Sequence, residues 1–197
     1  MPVSTETERA LASQSVPDLT QAVVGRRLSL QEMLDLVGDA EPATDEEGLT
    51  SVWVGSIGYE TYREVSVFAG AVAKAGVEQL IDVRELPISR KRGFAKTALS
   101  QALEAVGVKY IHLRSMGNPK ELRDLYKSGK VTEGRTGYQE FLLASRPDAL
   151  QDLASEIRAN RSALMCVEDD QCVCHRDVIF DALRDELGLS LRVEAIR

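Results

Sequence analysis

The chain of 197 residues has a formal net charge of −7 and is 44% hydrophobic and 28% charged, values that are ordinary for one soluble globular domain. It contains no run of about 18 apolar residues, so the sequence excludes a membrane-spanning helix. The N-terminal sequence lacks the basic start and apolar stretch of a secretory signal, and we therefore expect a cytoplasmic protein without a membrane partner.

The acidic residues are concentrated near the N-terminus. Residues 1–50 contain ten Asp or Glu and three Lys or Arg, whereas the rest of the chain contains 21 of each kind. A neutral domain is not a general binder of polyanions. Any contact with nucleic acid must therefore come from a local basic patch.

Residues 1–48 are predicted to form an acidic N-terminal extension with one short helix, in RLSLQEMLDLVG. Ser29 and Glu32 are spaced as a capping box at the start of this helix, and Gly38 is a typical residue at its end. The sequence DAEPATDEEGLT that follows has the composition of an acidic linker. We predict that an α/β domain occupies residues 49–197.

From residue 49 onwards the hydrophobic pattern alternates between strands and helices. The predicted strands cover residues 51–58, 78–85, 108–117, 162–168 and 191–196. The predicted helices cover residues 64–75, 95–106, 119–127, 138–160 with a break around Arg146 and Pro147, and 175–187. This order predicts a single Rossmann-like, doubly wound domain, in which a mostly parallel sheet is flanked by helices on both faces.

Unusual polar residues follow the predicted strands at the point where each strand ends. They are Tyr59 and Glu60 after Gly58, Asp82 and Arg84, His112 with Gly117 and Asn118, and Cys166 with Glu168. In open parallel sheets, ligands bind beyond the carboxyl ends of the strands. The sequence therefore predicts a functional site at this edge of the sheet.

The segment from Cys166 to Arg176 is predicted to lie at the centre of the site. It runs from a strand through a loop into a helix that begins near Cys174. A helix N-terminus favours anions and lowers the pKa of a nearby thiol, and Arg176 adds a guanidinium group. Cys174 is thus the candidate nucleophile and Arg176 a candidate phosphate ligand. The alternative is structural, with Arg176 paired to an acidic side chain of the loop and the cysteines simply packed.

The three cysteines of the chain all fall within this segment, which argues against a disulfide framework. Zinc is the alternative, with Cys166, Cys172, Cys174 and His175 as its ligands. The spacing of these residues is poor for a structural zinc site, because a single knuckle is present where such sites have two. We therefore predict no cofactor and keep zinc as an alternative.

The segment IDVRELPISRKRGFAK contains the densest basic patch of the chain. Arg90 and Arg92 can hold phosphates there, while Phe94 stacks on a base. A solvated basic loop is the equally acceptable alternative. Among the strand residues, Asp82 and Arg84 point to the same side, and His112 is either a hydrogen-bonded core residue or part of the site.

Four pieces of the chain, IGYE, LIDVRELPISRKRGFAK, YIHLRSMGNPKELR and MCVEDDQCVCHRDVIFDAL, resemble in this order the domain-of-unknown-function family numbered 488. The resemblance covers roughly residues 52–196 and implies an α/β fold with a shared site, but it brings no established reaction. The site residues that it implies are Gly58, Tyr59, Glu60, Asp82, Arg84, Arg90, Phe94, His112, Gly117, Asn118, Cys166, Glu168, Cys174, His175 and Arg176.

Our leading functional hypothesis is an enzyme that acts on a phosphate-bearing substrate, a nucleotide or a nucleic acid, by hydrolysis or base removal. The candidate catalytic residues are Glu168, Cys174, His175, Glu60 and Asp82. The candidate substrate-binding residues are Tyr59, Arg84, Arg90, Arg92, Phe94, His112, Asn118 and Arg176. The sequence lacks the glycine-rich fingerprint of dinucleotide-binding proteins, which disfavours hydride transfer.

Two further hypotheses come from other classes of protein. In the first, Cys174 carries out thiol or sulfur-transfer chemistry, tuned by His175 and the helix dipole. In the second, the domain is a non-catalytic module whose basic loop binds single-stranded nucleic acid or a protein partner. The sequence leaves the oligomeric state open.

Overall fold

A computed structural model of the chain describes residues 51–197. The predicted acidic extension, its short helix and the domain boundary at residue 48 lie outside the described residues. The described part contains one five-stranded sheet, in which all neighbouring strands are parallel. Its strands are β1 (Val52–Gly58), β2 (Gln79–Asp82), β3 (Lys109–His112), β4 (Ser162–Cys166) and β5 (Leu191–Ala195). They are arranged in the order β3-β2-β4-β1-β5.

Six α-helices and two short 3-10 helices connect these strands. The α-helices are α1 (Val65–Lys74), α2 (Lys96–Glu104), α3 (Lys120–Lys127), α4 (Val131–Ser145), α5 (Pro147–Ala159) and α6 (His175–Asp185). The 3-10 helices are Arg114–Met116 and Gln171–Val173. Within residues 51–197, no helix has both the length and the hydropathy needed to cross a bilayer.

The predicted strands and helices are all present, with differences at their ends. The break predicted around Arg146 separates α4 from α5, because Pro147 disfavours helical backbone in the residue before it and is well suited to begin a helix. Helix α4, however, begins at Val131 rather than Tyr138. Two glycines in its first half, Gly134 and Gly137, weaken the helical pattern of the sequence, because glycine has a low helix propensity.

Helices pack on both faces of the sheet, as a doubly wound fold requires. On one face, α4, α5 and α6 cover a buried cluster that includes Val54, Ile81 and Leu164. On the other face, α1 and α2 cover a second cluster that includes Ile57 and Leu80. Because both faces are covered, the central strands β2 and β4 are buried along their whole length. The fold class predicted from the sequence is confirmed.

The register of the sheet brings the carboxyl ends of three strands together. Gly58 of β1 pairs with Cys166 of β4, and Asp82 of β2 pairs with Met165 of the same strand. The backbone leaving β4 then passes so close to β1 that a Cβ atom on Gly58 would overlap the backbone of Glu168. Glycine is therefore required at the end of β1 for the loop after β4 to fold back over the sheet.

We predict that Gly58→Ala destabilises the protein by about 1–3 kcal/mol, the usual range for overpacking, because the loop after β4 has to move. Gly70→Ala is the matched control. Gly70 lies in α1 with open space around its missing Cβ, and alanine should stabilise the helix there by up to about 1 kcal/mol. Urea unfolding measures both changes, and equal effects of the two substitutions would contradict the close approach at Gly58.

Candidate active site

A pocket of about 600 Å³ opens at the carboxyl edge of the sheet, where β1, β2 and β4 end. Its lining includes three groups of side chains. The thiols, acids and histidine are Cys166, Cys174, His175, Glu168, Glu60 and Glu85; the basic side chains are Arg84, Arg90, Lys91, Arg123 and Lys127; the exposed apolar side chains are Leu86, Ile88 and Val173. The pocket therefore combines nucleophilic and acidic groups with a basic and partly apolar mouth.

His175 is the first residue of α6, and its ring is held from two sides. Nε2 lies 3.0 Å from the backbone oxygen of Val83, and the ring edge packs against Tyr138 at a centroid distance of 5.1 Å. Nδ1 consequently faces two sulfur atoms, Cys174 Sγ at 3.7 Å and Cys166 Sγ at 3.8 Å. The fold thus aims one imidazole nitrogen at a pair of cysteines.

Cys174 precedes α6 as its N-cap residue. Burial of this thiol opposes its ionisation, but a hydrogen bond from Cys166 and the positive charges of His175 and Arg176 outweigh burial and hold the pKa of Cys174 well below its usual range. Burial likewise acts to lower the pKa of His175, but the Cys174 thiolate and the Val83 carbonyl raise that pKa. The pair therefore has the character of a thiolate and an imidazolium.

Two more groups at the same spot have raised pKa values. The hydrogen bond to Cys174, and then burial, raise the pKa of Cys166 well above its usual range, so that Cys166 is a protonated donor. Burial, and then the negative charge of Cys174, raise the pKa of Glu168. A thiolate surrounded by groups that can donate protons is an arrangement suited to nucleophilic catalysis with general acid support.

Arg176 is fully buried, and all of its nitrogens are engaged inside the protein. Nη1 donates to Ser56 Oγ at 3.1 Å, Nη2 donates to the backbone oxygens of Glu168 and Asp169, and Nε lies 3.4 Å from Cys174 Sγ. The guanidinium therefore bonds to backbone carbonyls and a sulfur atom, whereas the structural alternative from the sequence paired it with an acidic side chain of the loop. Binding of a substrate phosphate by Arg176 would require these bonds to break.

Arg84 and Asp82 form a second buried pair, with side-chain exposures of 4% and 0%. Arg84 also donates to the Tyr59 hydroxyl at 3.2 Å and to the backbone oxygen of Phe94 at 3.1 Å, and Tyr110 donates to Asp82 at 2.6 Å. Asp82 has no place in the lining of the pocket, although the sequence marked it as catalytic. The geometry assigns it to the support of Arg84.

The sequence predicts that Phe94 stacks on a ligand, but in the structure it stacks on Tyr59. Tyr59 and Phe94 are parallel at 4.7 Å, and Phe68 covers Phe94 from another side at 5.5 Å. Phe94 is fully buried and does not line the pocket, whereas Tyr59 does. His112 is likewise turned inwards, with Nε2 at 2.8 Å from the Arg84 backbone oxygen.

The pocket brings together nine of the residues that the sequence marked for the site. These are Tyr59, Glu60, Arg84, Arg90, Asn118, Cys166, Glu168, Cys174 and His175. It leaves out Gly58, Asp82, Arg92, Phe94, His112, Gly117, Cys172 and Arg176. Most of the excluded residues are buried in internal contacts, but His112 is half-buried, and Arg92 and Cys172 are exposed outside the pocket.

The zinc alternative has three of its four ligands in place. One ligand atom from each of Cys166, Cys174 and His175 lies within 4.8 Å of the others, whereas the exposed Cys172 is not part of this group. Tetrahedral zinc with bonds of about 2.0–2.3 Å to nitrogen and sulfur separates its ligands by roughly 3.5–3.8 Å. The three residues fit such an ion with one open position, so a metal remains an alternative to a free thiolate.

Sequence reasoning missed the residues that α3 contributes. Arg123 and Tyr126 of this helix line the same pocket as Cys166, at the end of β4, and Cys174, the N-cap residue of α6. The available signal was indirect. Glycines at positions 134 and 137 are one helical turn apart in α4, and a Cβ on either would overlap a side chain of α3. Such a pair indicates that another helix packs closely at this point.

Together the fold and the site define a three-layer α/β protein with a buried cysteine–histidine pair at the carboxyl edge of a parallel sheet. The chain belongs to the family described as Domain of unknown function DUF488, whose model matches residues 64–183. This match confirms the resemblance found in the sequence and includes both cysteines of the pocket. No curated protein and no solved structure matches the chain.

We predict that Asp82→Asn destabilises the protein by about 3–5 kcal/mol, since it leaves the buried guanidinium of Arg84 without its counter-charge. Urea unfolding of the variant and the wild type measures this loss. Asp124→Asn is the control, because Asp124 pairs with Lys120 on the exposed surface of α3, where such pairs contribute at most about 1 kcal/mol. Similar stability of the two variants would contradict a structural role for the Asp82–Arg84 pair.

Proposed function

We propose that this protein is a cysteine-dependent enzyme in which Cys174 is the nucleophile and the substrate carries a negative charge. One observation carries the proposal: Cys174 Sγ lies at a helix N-terminus, 3.7 Å from His175 Nδ1 and 3.4 Å from Arg176 Nε, and lines the pocket. Purely structural buried cysteines have raised pKa values. The groups around Cys174 have the opposite effect.

The reaction that these groups support is hydrolysis through a covalent intermediate. Cys174 Sγ attacks an electrophilic atom of the substrate and forms a bond to it. The bond to the leaving group then breaks, the leaving group takes the electron pair, and the His175 imidazolium supplies its proton. Water next attacks the intermediate, returns a proton to His175 and releases the product, which restores the Cys174 thiolate.

Glu168 and Cys166 have supporting roles in this scheme. Glu168 lines the pocket, and its raised pKa favours the protonated form while Cys174 is a thiolate. It is therefore the candidate general acid or base for the water step. Cys166 helps to lower the pKa of Cys174 and so favours the negative charge there.

The mouth of the pocket supports an anionic substrate. Arg90 is exposed, lines the pocket and has no hydrogen bond or ion pair to any of residues 51–197. Lys91 Nζ is held nearby by the backbone oxygens of Tyr59 and Glu60 at 2.8 and 2.6 Å. An unpaired arginine beside a fixed lysine favours a phosphate or carboxylate group.

A phosphate-bearing substrate, either a nucleotide or a nucleic acid, is the second candidate, and the same unpaired Arg90 favours it. In that case the phosphate binds at the mouth, since Arg84 and Arg176 are already engaged in the interior. A module that binds single-stranded nucleic acid without catalysis would use the same basic side chains, but it would make no use of the ionised Cys174.

We predict that iodoacetamide alkylates Cys174 faster than Cys172 at about pH 6.5, where a thiol of ordinary pKa, about 8.5, is almost fully protonated. A thiol loses its reactive thiolate form as the pH falls below its pKa. The pKa of Cys174 is lowered, whereas the negative charge of Asp170, and then burial, raise the pKa of the exposed Cys172. Peptide mass spectrometry at a series of pH values measures both rates in one sample.

The unfolded protein in urea is the control for this experiment, and there the two cysteines should react alike. Faster alkylation of Cys172 at low pH would contradict the proposal. So would a chelator that switches on the reaction of Cys174 in a sample containing one zinc per chain, because that outcome makes Cys166, Cys174 and His175 a metal site.

We predict that Arg90→Glu slows alkylation of Cys174 by the anion iodoacetate about 3- to 10-fold relative to the neutral reagent iodoacetamide. Reversing a charge at the mouth repels an anion on its way to the thiolate and leaves a neutral molecule unaffected. Arg92→Glu is the matched control, since Arg92 is exposed outside the pocket. The two rate constants measured for each variant provide the comparison.

Inorganic phosphate added to the same assay tests the second candidate. It should slow alkylation in the wild type and have less effect in Arg90→Glu if the mouth binds phosphate. Equal ratios in the wild type, Arg90→Glu and Arg92→Glu would contradict an anion site at the mouth.

A further inference from the structure

One wall of the pocket contains polar atoms that have no partner in the protein. Six buried side-chain nitrogen or oxygen atoms in residues 51–197 lack a hydrogen bond, and three of them belong to the pocket lining: Asn118 Oδ1, Arg123 Nε and Tyr126 Oη. An unsatisfied buried polar atom costs about 1–3 kcal/mol. A cluster of three on one wall indicates that a ligand completes these hydrogen bonds.

The residues of this wall are held in place by contacts within the protein. Asn118 is 2% exposed and follows Gly117, where a Cβ would overlap the backbone of Glu85. Arg123 is fixed by an ion pair to Glu85 through Nη2 at 3.2 Å, which leaves its Nε free. The amide of Asn118 is therefore held against the pocket next to a free N–H group.

Tyr126 is placed by the close contact of α3 and α4. A Cβ on Gly134 would lie 2.8 Å from the ring of Tyr126, and a Cβ on Gly137 would lie 2.7 Å from Leu122. A glycine in a helix interior costs about 1 kcal/mol relative to alanine. The two glycines therefore lower the stability of α4, and they leave the space in which the Tyr126 ring lies beside the pocket.

The wall offers two donors and one acceptor. Burial, and then the negative charge of Cys174, raise the pKa of Tyr126, which keeps its hydroxyl protonated and able to donate. Arg123 donates through Nε–H, whereas the unpaired Oδ1 of Asn118 accepts. All three face a pocket whose nucleophile is a thiolate.

Resting on the function proposed above, we infer that Arg123 and Tyr126 form an oxyanion-binding subsite, that the reacting group of the substrate is an acyl carbonyl, and that Asn118 Oδ1 accepts a hydrogen bond from an N–H or O–H group of the same substrate. When Cys174 Sγ bonds to the carbonyl carbon, the π electron pair moves onto the oxygen, and these donors stabilise the resulting negative charge. The electron pair then returns, expels the leaving group with its bonding electrons and leaves a thioester on Cys174, which water hydrolyses.

The donor set favours a carbonyl over a phosphoryl group. Tyr126 is neutral, and the charge of Arg123 is already balanced by Glu85. A transferring phosphoryl group carries charge on three oxygens and is normally held by several cations or a metal ion. The cationic Arg90 and Lys91 lie at the mouth, where they suit an anionic part of the substrate distant from the reacting carbonyl.

The test compares two reactions of the same thiol. 4-Nitrophenyl acetate acylates a cysteine through an oxyanion, whereas iodoacetamide alkylates it by direct displacement without one. We expect Tyr126→Phe to lower the rate of acylation about 100-fold, the typical loss for one oxyanion donor, and to leave alkylation within about twofold of the wild type. The release of 4-nitrophenolate and the mass of the Cys174 peptide measure the two rates.

Tyr62→Phe is the matched control. The hydroxyl of Tyr62 is also buried without a partner, but it belongs to a different pocket, so both of its rates should equal those of the wild type. Arg123→Lys, which removes the Nε–H donor and keeps a positive charge beside Glu85, should show the same selective loss of acylation as Tyr126→Phe. It carries the comparison if the tyrosine variant does not fold.

Three outcomes would overturn the inference. Acylation and alkylation could fall together in Tyr126→Phe, which would mark a structural role, or neither could change. Faster turnover of 4-nitrophenyl phosphate than of the acetate, again dependent on Tyr126, would replace the acyl substrate with a phosphoryl one. Failure of the proposed function is distinguishable from all of these, since then neither reagent would modify Cys174 in the wild type.

Discussion

A guanidinium group shielded from water must find its counter-charge and its hydrogen bonds inside the protein. Arg176 finds them in Ser56 of β1, in the backbone oxygens of Glu168 and Asp169 after β4, and in the sulfur of Cys174. No carboxylate takes part in these bonds. A buried cation of this kind favours an anion close by, and the Cys174 thiolate is the group that can supply it. Arg176 thus fixes the loop after β4, and it adds to the larger effects of Cys166 and His175 in lowering the pKa of Cys174.

The same principle operates on the other side of the pocket. The Asp82–Arg84 pair joins the end of β2 to Tyr59 and to the Phe94 carbonyl, and it organises the loop that carries the basic residues of the mouth. The buried arginines that the sequence marked as ligand-binding instead hold parts of the domain together. The exposed Arg90 has no such bond within residues 51–197. A buried guanidinium holds several backbone segments at once because its five N–H groups point in fixed directions.

The pocket between these two networks joins groups that complement each other chemically. The pKa shifts of Cys174 and His175 favour a thiolate and an imidazolium, whereas α3 lines the same pocket with unpaired hydrogen-bond donors. The wall that α3 forms depends on two glycines of α4 that let the helices approach, so the position of Tyr126 is set by residues outside the site. The shape of the pocket therefore depends on how α3 and α4 pack, as well as on the residues that line it.

The sequence by itself determined the α/β class, the order of the strands and helices, and the start of a helix next to Cys174, since hydrophobic periodicity and helix starts are local properties. It could not decide which polar residues face a ligand and which face one another. Arg84, Arg176 and Phe94 are the sort of residues that bind phosphates and bases, and their internal partners are distant in sequence. Only the tertiary structure decided that these side chains hold the site together, because burial and the choice of partner follow from the packing of the sheet and helices. The tertiary structure also brought Tyr126 into the same pocket as Cys174. No local pattern of the sequence predicts this proximity, because the two residues are far apart in the chain.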